Sequence, residues 1–330
     1  MKINFRIRQL LLKETFSIAY GNYDQRDALL VELSYHDCKG YGECVAIDYY
    51  QIDLLHFMVR LSEIRALLEG QKIIHPQEFF SFISGMNLHP FLLSALDCAY
   101  WDLFGKLENK SFIELNDLPH HHLAESSITI SVGNIETQIR KIEQSSWNRF
   151  KVKCKGLDRS TIKKLLDLNR NIALDSNASF TEDDCIWLQE NPEIQKFTYI
   201  EQPVLVNQYR ILKREGFANW MADEDCRNTD DLEKLIPYYK SVNIKLMKCG
   251  GLTPALEMIR KAKDLGYKVM IGCMTESTVG ISAACMLTGL TDFADLDGAS
   301  LISNDDASGN HVETGKIILS GKPGLGIAMK

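Results

Sequence analysis

The chain has 330 residues, 45% hydrophobic and 25% charged, with a formal net charge of −7; that length holds one large domain or two ordinary ones, and the acidic balance argues against a nucleic-acid binder, whose footprint would be basic. The opening MKINFRIRQLLLKETF breaks its apolar run with charges and lacks a small-residue cleavage site, so it does not read as a signal peptide, and no apolar run reaches membrane-spanning length. Nine cysteines without a CxxC pair fit free thiols in a reducing cytoplasm and supply neither a zinc site nor a disulfide framework.

In chain order, DALLVELSY predicts a strand and CKGYGECVA carries hairpin chemistry. IDLLHFMVRLSEIRALLEG predicts a helix stopped by Gly70, and HPQEFFSFISGM and PFLLSALDCAYWDLFGKLEN predict two more. Strands followed by helices indicate an α+β unit over residues 1–118. The HHH run at 120–122 reads as a surface loop, and no histidines have ligand spacing. From Ser126 onward, short β runs alternate with amphipathic helices. The runs are SITISVG, RFKVKCK, NIALDSN, FTYIEQP, NWMADED, SVNIKLM, YKVMIGCM and DFADLD. This order predicts an α/β fold, a (β/α)7β TIM-like barrel over residues 119–309. The doubly wound sheet competes, but no glycine-rich fingerprint follows the first of these strands. After Asp297 the pattern decays into turns and short β runs, and residues 310–330 are expected to complete the α+β unit.

A barrel places its chemistry at the C-terminal ends of its strands. The second run ends in Lys151, Lys153 and Lys155, alternating with Val152 and Cys154, so strand spacing puts all three ammonium groups on one face. The third run ends in Asp175 with Asn177 beyond, the fourth in Glu201, the fifth in Asp223 with Glu224. The sixth holds Lys245 and Lys248, and the eighth ends in Asp295 and Asp297. A single acid at a strand end is usually a helix cap or a solvated loop residue. Three on successive strands converge on one point, where they repel one another unless a cation neutralises them; hard oxygen donors select Mg²⁺. The cysteine and methionine of IGCMTES read as packing. Alternating lysines commonly mark a solvated edge strand, but strand two of a barrel is not an edge.

These motifs resemble those of the enolase superfamily, and within it the muconate-lactonizing subgroup and its dipeptide epimerases, over essentially the whole chain. ALDCAYWDLFGKL is similar to the helix that closes the family's capping domain. KVK matches its K-x-K, DSN its D-x-N, YIEQP its E-Q-P, and ADED its D-E-S, with Asp225 in place of serine. NIKLMKCGG, IGCMTES and DFADLDG match the last three strands. The resemblance implies Asp175, Glu201 and Asp223 as Mg²⁺ ligands, supported by Asn177 and Glu224. It implies Lys153 and Lys245 as an acid/base pair on opposite faces of the substrate carbon, Lys245 rather than Lys248 by its distance from the Gly-Gly. Asp295 and Asp297 then hold the substrate's amino terminus. Lys155 precedes the glycine that usually follows the motif more closely, so the register is Lys151/Lys153 or Lys153/Lys155, with FKVK favouring the first. Lys151 is expected to tune Lys153, since a like charge, partial burial and a nearby ion disfavour its protonated form.

The implied activity is a Mg²⁺-dependent dipeptide epimerase that inverts the α-carbon of the C-terminal residue by 1,1-proton transfer through an enediolate. Muconate cycloisomerase or o-succinylbenzoate synthase is the alternative within the subgroup, though two acids at the far side of the pocket would repel their dicarboxylates. A metal-free Schiff-base aldolase would leave the three carboxylates unexplained, and a non-catalytic binding protein would leave the full set of lysines and acids without a use. The stretch AYGNYDQRD, Ala19 to Asp27, is expected to be a loop over the barrel mouth, where Arg26 would pair with an acidic substrate side chain. The expected partner is a small dipeptide, with no nucleic acid and no membrane; a homo-oligomer is left open.

Overall fold

A computed structural model describes all 330 residues. The chain opens with a meander of three antiparallel strands, β1 (Lys2–Ile18), β2 (Gly21–Tyr35) and β3 (Cys38–Val45). The 17-residue β1 is an element the sequence reading missed, because its charges hide the alternation. It pairs with β2 along nearly its whole length, with a register shift between Leu11 and Phe16. Three helices follow: α1 (Leu54–Glu69), α2 (Pro76–Ser84) and α3 (Pro90–Glu108). Asp53 caps α1 by accepting the His56 N–H, and α1 ends before Gly70 as the sequence predicts. The α3 backbone lies directly on β3: a Cβ at Gly42 would stand 2.0 Å from the Ala95 carbonyl oxygen. Only glycine allows that approach. A short helix, α4 (Phe112–Asn116), leads out of this domain.

The second part is an eight-stranded parallel barrel in sequential order. Its strands and helices run β4 (Ile128–Ile130), α5 (Ile135–Gln144), β5 (Arg149–Lys153), α6 (Arg159–Leu166), β6 (Asn171–Asp175), α7 (Glu182–Glu190), β7 (Ile200–Glu201), β8 (Trp220–Ala222) and α8 (Asp231–Leu235). There follow β9 (Ser241–Lys245), α9 (Leu246–Cys249), α10 (Leu252–Asp264), β10 (Lys268–Gly272), α11 (Thr278–Cys285) and β11 (Phe293–Asp295). A bridge between Ser126 and Ala294 closes the ring, with the Ser127 N–H donating to the Ala294 carbonyl at 3.0 Å. One unit departs from the expected pattern. Between β7 and β8 the chain forms only a 3₁₀ turn, Tyr209–Ile211.

Alternation along the strands divides the barrel interior into two layers. Ala173, Tyr199, Met221 and Met270 form a lower apolar layer. Two residues further along the same strands stand Asp175, Glu201, Asp223 and Gly272. Register aligns Lys153 with Asp175, Asp175 with Glu201, and Gly272 with Lys245 on one side and Asp295 on the other. The outward residues Phe150, Val152, Ile172 and Leu174 pack into the main core between the barrel and its helices.

After β11 the chain makes two small pairings, β12 (Ala307–Ser308) with β15 (Ala328–Met329), and β13 (His311–Glu313) with β14 (Lys316–Ile318). This tail bonds to both parts. The Leu325 N–H donates to Asp102 on α3 at 2.8 Å, and Ser282 Oγ on α11 donates to the Leu325 carbonyl at 2.6 Å. Asp97 on α3 accepts from the N–H and Oγ1 of Thr253 at the start of α10, at 2.9 and 2.7 Å. No helix is long and apolar enough to cross a membrane.

Candidate active site

The β1–β2 hairpin tip leans over the C-terminal end of the barrel and encloses a cavity of about 690 Å³, counted to its open mouth. The segment Ala19–Asp27 is therefore not a loop. It is the turn Ala19–Tyr20 and the start of β2, because β1 and β2 keep pairing to Ile18 and Gly21. From this tip Tyr20, Tyr23 and Arg26 face the cavity, joined by Tyr50. The barrel contributes Lys151, Lys153, Lys245, Glu224 and Asp297.

Strand β5 ends at Lys153, so Lys151 and Lys153 point inward while Lys155 lies beyond the strand and is exposed. The expectation that all three lysines share one face fails here, since alternation lasts only as long as the ladder. Lys153 Nζ donates to Asp175 Oδ2 at 2.6 Å and to Asn177 Oδ1 at 3.0 Å. Asn177 in turn donates its side-chain amide to Glu224 at 3.4 Å. Across the cavity, Lys245 Nζ donates to Asp223 Oδ2 at 2.6 Å. Lys248 does not line the cavity. Its ammonium is buried against the Asp223 carboxylate and donates to the carbonyls of Asp223 and Asn243, at 2.6 and 2.9 Å. It fixes Asp223 from behind.

Lys151 is not the bare like charge that the sequence suggests. Its ammonium bonds to Asp295 and lies 3.6 Å from both Asp175 and Glu201. Burial opposes its charge, but these three carboxylates more than offset that and hold its pKa above the ordinary lysine value. Its charge is thus spent locally, and the repulsion expected to tune Lys153 is screened. Asp295 also accepts from Ser127 Oγ at 2.9 Å, so both its oxygens are engaged. Asp297 differs. Only its Oδ2 is taken, by the Thr129 N–H at 2.6 Å. Burial, then the charge of Asp295, pushes its carboxyl up to about 6. The two aspartates that the sequence reading treats alike therefore differ in their partners: Asp295 has both oxygens bonded and Asp297 one.

Asp175, Glu201 and Asp223 converge from β6, β7 and the end of β8. As these side chains stand, no group of three or more His, Cys, Asp or Glu residues is gathered closely enough to hold an ion; lysines stand between the acids instead. Burial works against the charge of Asp175, yet Lys153 and Lys151 keep its pKa below the ordinary carboxylate value. Lys245 and Lys248 do the same for Asp223. Glu201 is the exception. Its Oε1 accepts from Asn243 at 2.7 Å, but its buried Oε2 has no hydrogen-bond donor. Burial and the neighbouring Asp175 push it up to about 8. A carboxylate oxygen with no hydrogen bond, only the Lys151 ammonium at 3.6 Å, standing between two further acids is a donor set that fits a hard divalent cation.

Several supporting residues went unread in the sequence. Asn243 stands two residues before Lys245 on the same inward face, a signal that period-two alternation carries. A Cβ at Gly272 would lie 2.3 Å from its Oδ1, so the glycine makes room for the amide that orients Glu201. Gln202 accepts the Asp223 N–H at 3.0 Å and donates to Asp225 at 2.8 Å. Asp225, where the resembling family has serine, also accepts from Tyr239 OH and the Asn207 N–H, each at 2.8 Å. Three donors thus absorb the substitution. Arg26 is buried in the cavity wall, stacked on Tyr23 at 4.2 Å, and donates to the Ala46 carbonyl at 3.0 Å. It has no carboxylate within salt-bridge distance, and its Nε has no partner.

The chain is 33% identical, over all of its length and 99% of the other protein, to an L-Ala-D/L-amino acid epimerase from Maribacter sp.. It is 30% identical, over 99% of its length and 88% of the other, to an L-Ala-D/L-Glu epimerase from Bacteroides thetaiotaomicron. Among solved structures, a dipeptide epimerase from Enterococcus faecalis complexed with Mg and the dipeptide L-Leu-L-Tyr superposes with a TM-score of 0.86 at 25% identity, covering 99% of each chain. Residues 134–330 match the family model described as enolase C-terminal domain-like. With the barrel, its antiparallel N-terminal domain and these relatives in agreement, the chain belongs to the enolase superfamily and is an isomerase of its dipeptide-epimerase branch.

Proposed function

We propose that the protein epimerises the α-carbon of the C-terminal residue of a dipeptide by 1,1-proton transfer between Lys153 and Lys245. The observation that carries this reading is their placement: two buried lysines reach one cavity from β5 and β9, each paired with an acid of the proposed ligand set. One lysine as the neutral amine removes the α-proton. The other, as the ammonium, protonates the opposite face, and the centre inverts. Lysine suits both roles because each residue must serve as acid in one direction and base in the other.

Asp175, Glu201 and Asp223 would hold Mg²⁺. When bound there, the ion supplies the positive charge that offsets the negative charge arising on the substrate carboxylate as the α-proton leaves. Lys153 and Lys245, now held by Asp175 and Asp223, must exchange those contacts for the substrate before either can act as a base. Asn177 and Glu224 support Lys153 from the side. Asp297 receives the dipeptide's ammonium at the far end of the cavity, an acidic surface that disfavours the dicarboxylates of muconate cycloisomerase or o-succinylbenzoate synthase. Arg26 is a buried guanidinium with no carboxylate in salt-bridge contact, and it suits a substrate residue with a carboxylate side chain.

The test is a dipeptide library incubated in D₂O with Mg²⁺ and read for deuterium at the C-terminal residue's α-carbon. The expected result is label in dipeptides with both epimers accumulating, strongest for acidic C-terminal residues and lost with chelator. Arg26→Gln should remove the acidic preference and leave neutral dipeptides turning over. Label that survives full chelation, or no label in any dipeptide, sinks the assignment.

A further inference from the structure

The cavity is a composite. The hairpin of the N-terminal domain forms one wall, and the segment between β10 and α11 forms part of the other through Met274 and Thr275. Such a site keeps its shape only if something fixes the second wall relative to the first domain. Ser277, the residue that caps α11, is where this wall is joined to the first domain.

Glu43, on β3 of the N-terminal domain, has a fully buried side chain. Its Oε1 accepts the Ser277 N–H at 2.8 Å, and its Oε2 accepts from Ser277 Oγ at 2.6 Å. Arg8 on β1 donates to the same Oε2 at 2.6 Å, bonds also to Ser277 Oγ, and is tied to Asp306 beyond β11. A carboxylate from one domain thus holds the N-cap residue of a helix in the other, at the end where the helix dipole favours negative charge. The wall segment is folded against this anchor. The Met274 N–H donates to Glu276 Oε1 at 2.6 Å. Glu276 is buried and turned back against α11, where a Cβ on Gly280 would stand 2.1 Å from its Oε2. Four residues, Cys273 to Glu276, are therefore strung between a barrel strand and a serine held by the other domain.

We infer that Glu43 is a positioning residue for substrate binding: through Ser277 it sets where Met274 and Thr275 stand relative to the hairpin wall. The inference rests on the dipeptide reading of the cavity. Met274 and Thr275 bear neither the proton-transfer groups nor the proposed ion ligands. Displacing them weakens ground state and transition state alike, which raises KM and spares kcat.

Glu43→Gln keeps the shape and one acceptor but presents an NH₂ to Arg8 and to Ser277 Oγ. Ser277→Ala removes the Oγ bonds to Glu43 and Arg8 and the cap on the Val279 N–H but leaves the Ser277 N–H on Glu43, so it is the second variant should Glu43→Gln fold poorly. The experiment measures kcat and KM for the dipeptide that wild type epimerises, in both single variants and the double, with amide exchange at Met274 to Ser277. A charged hydrogen bond of ordinary strength predicts KM raised by about tenfold with kcat within about threefold. Exchange at those amides should rise, and the double variant should lose clearly less than the two single losses combined, because both variants break the Glu43–Ser277 contact. Unchanged kinetic constants with only a lower melting temperature would make Glu43 a plain structural residue and overturn the inference. So would a loss confined to kcat, or additive losses in the double variant. A wild type that epimerises no dipeptide refutes the proposed function itself, a failure seen before any variant is made.

Discussion

Replacing Asp297 by asparagine tests the substrate's amino terminus most directly. Only one Asp297 oxygen is occupied, by the Thr129 N–H at 2.6 Å, and asparagine can keep that bond through its carbonyl. What it loses is the charge offered to the substrate ammonium. Hydrogen bonds to charged groups contribute about 1.5–3 kcal/mol, so kcat/KM for a free-amine dipeptide should fall roughly ten- to a hundred-fold. N-acetylating the dipeptide removes the same charge from the other partner. Wild type should therefore lose a similar factor on acetylation, and Asp297→Asn much less. pH supplies a second reading. The Asp297 carboxyl sits at about 6, so the ratio of free-amine to acetylated kcat/KM should fall as pH drops through that value and the carboxylate is neutralised. Asp295→Asn is the control. Asp295 is engaged by Lys151 and Ser127, and its loss should lower turnover of both substrates by the same factor. Equal acetylation penalties in wild type and Asp297→Asn, measured by initial rates on purified protein, would refute the ammonium role and return the dicarboxylate chemistries to the front.

Lys153→Ala and Lys245→Ala should each abolish net epimerisation yet exchange the α-proton of opposite substrate epimers with D₂O. NMR detects this, and identical stereochemical preference in the two variants would contradict a two-faced site. Lys155→Ala, at an exposed position beyond β5, should leave kcat unchanged. Asp223→Asn should abolish turnover and also lower the melting temperature of the ion-free protein. It takes a charge from the buried ammonium groups of Lys245 and Lys248, and breaking a buried pair costs about 3–5 kcal/mol; unchanged thermal stability would contradict that pairing. Burial raises the Asp97 carboxyl to about 7. A raised folded-state pKa gives stability that is full below the unfolded value and lost as pH rises through the folded one. Asp97→Asn, which does not ionise, should therefore lose less stability than wild type between about pH 4 and pH 8, and parallel thermal-melt profiles would show that Asp97 does not titrate in this way.

The sequence by itself determined the barrel and the inventory of its mouth. Period-two alternation in short runs, each closed by a charged residue, survives in one dimension because a strand's inward face is a local property. Asp175, Glu201 and Asp223 could thus be placed without coordinates, while Lys245 was separated from Lys248 only by the family resemblance. What it could not carry was anything set by contact between distant segments. β1 was missed because its pairing with β2, not its composition, makes it a strand. Where β5 ends decides that Lys153 enters the cavity and Lys155 does not, and the ladder with β6 sets that end. The fourth helix position holds only a turn. Lys151 and Asp295 are 144 residues apart, yet their pairing quenches one charge and separates the roles of Asp295 and Asp297. Electrostatic state depends on burial and on neighbours brought together by the closed ring. That is why the residue types at the site were legible in the sequence, while their charges, partners and division of labour came only from the tertiary structure.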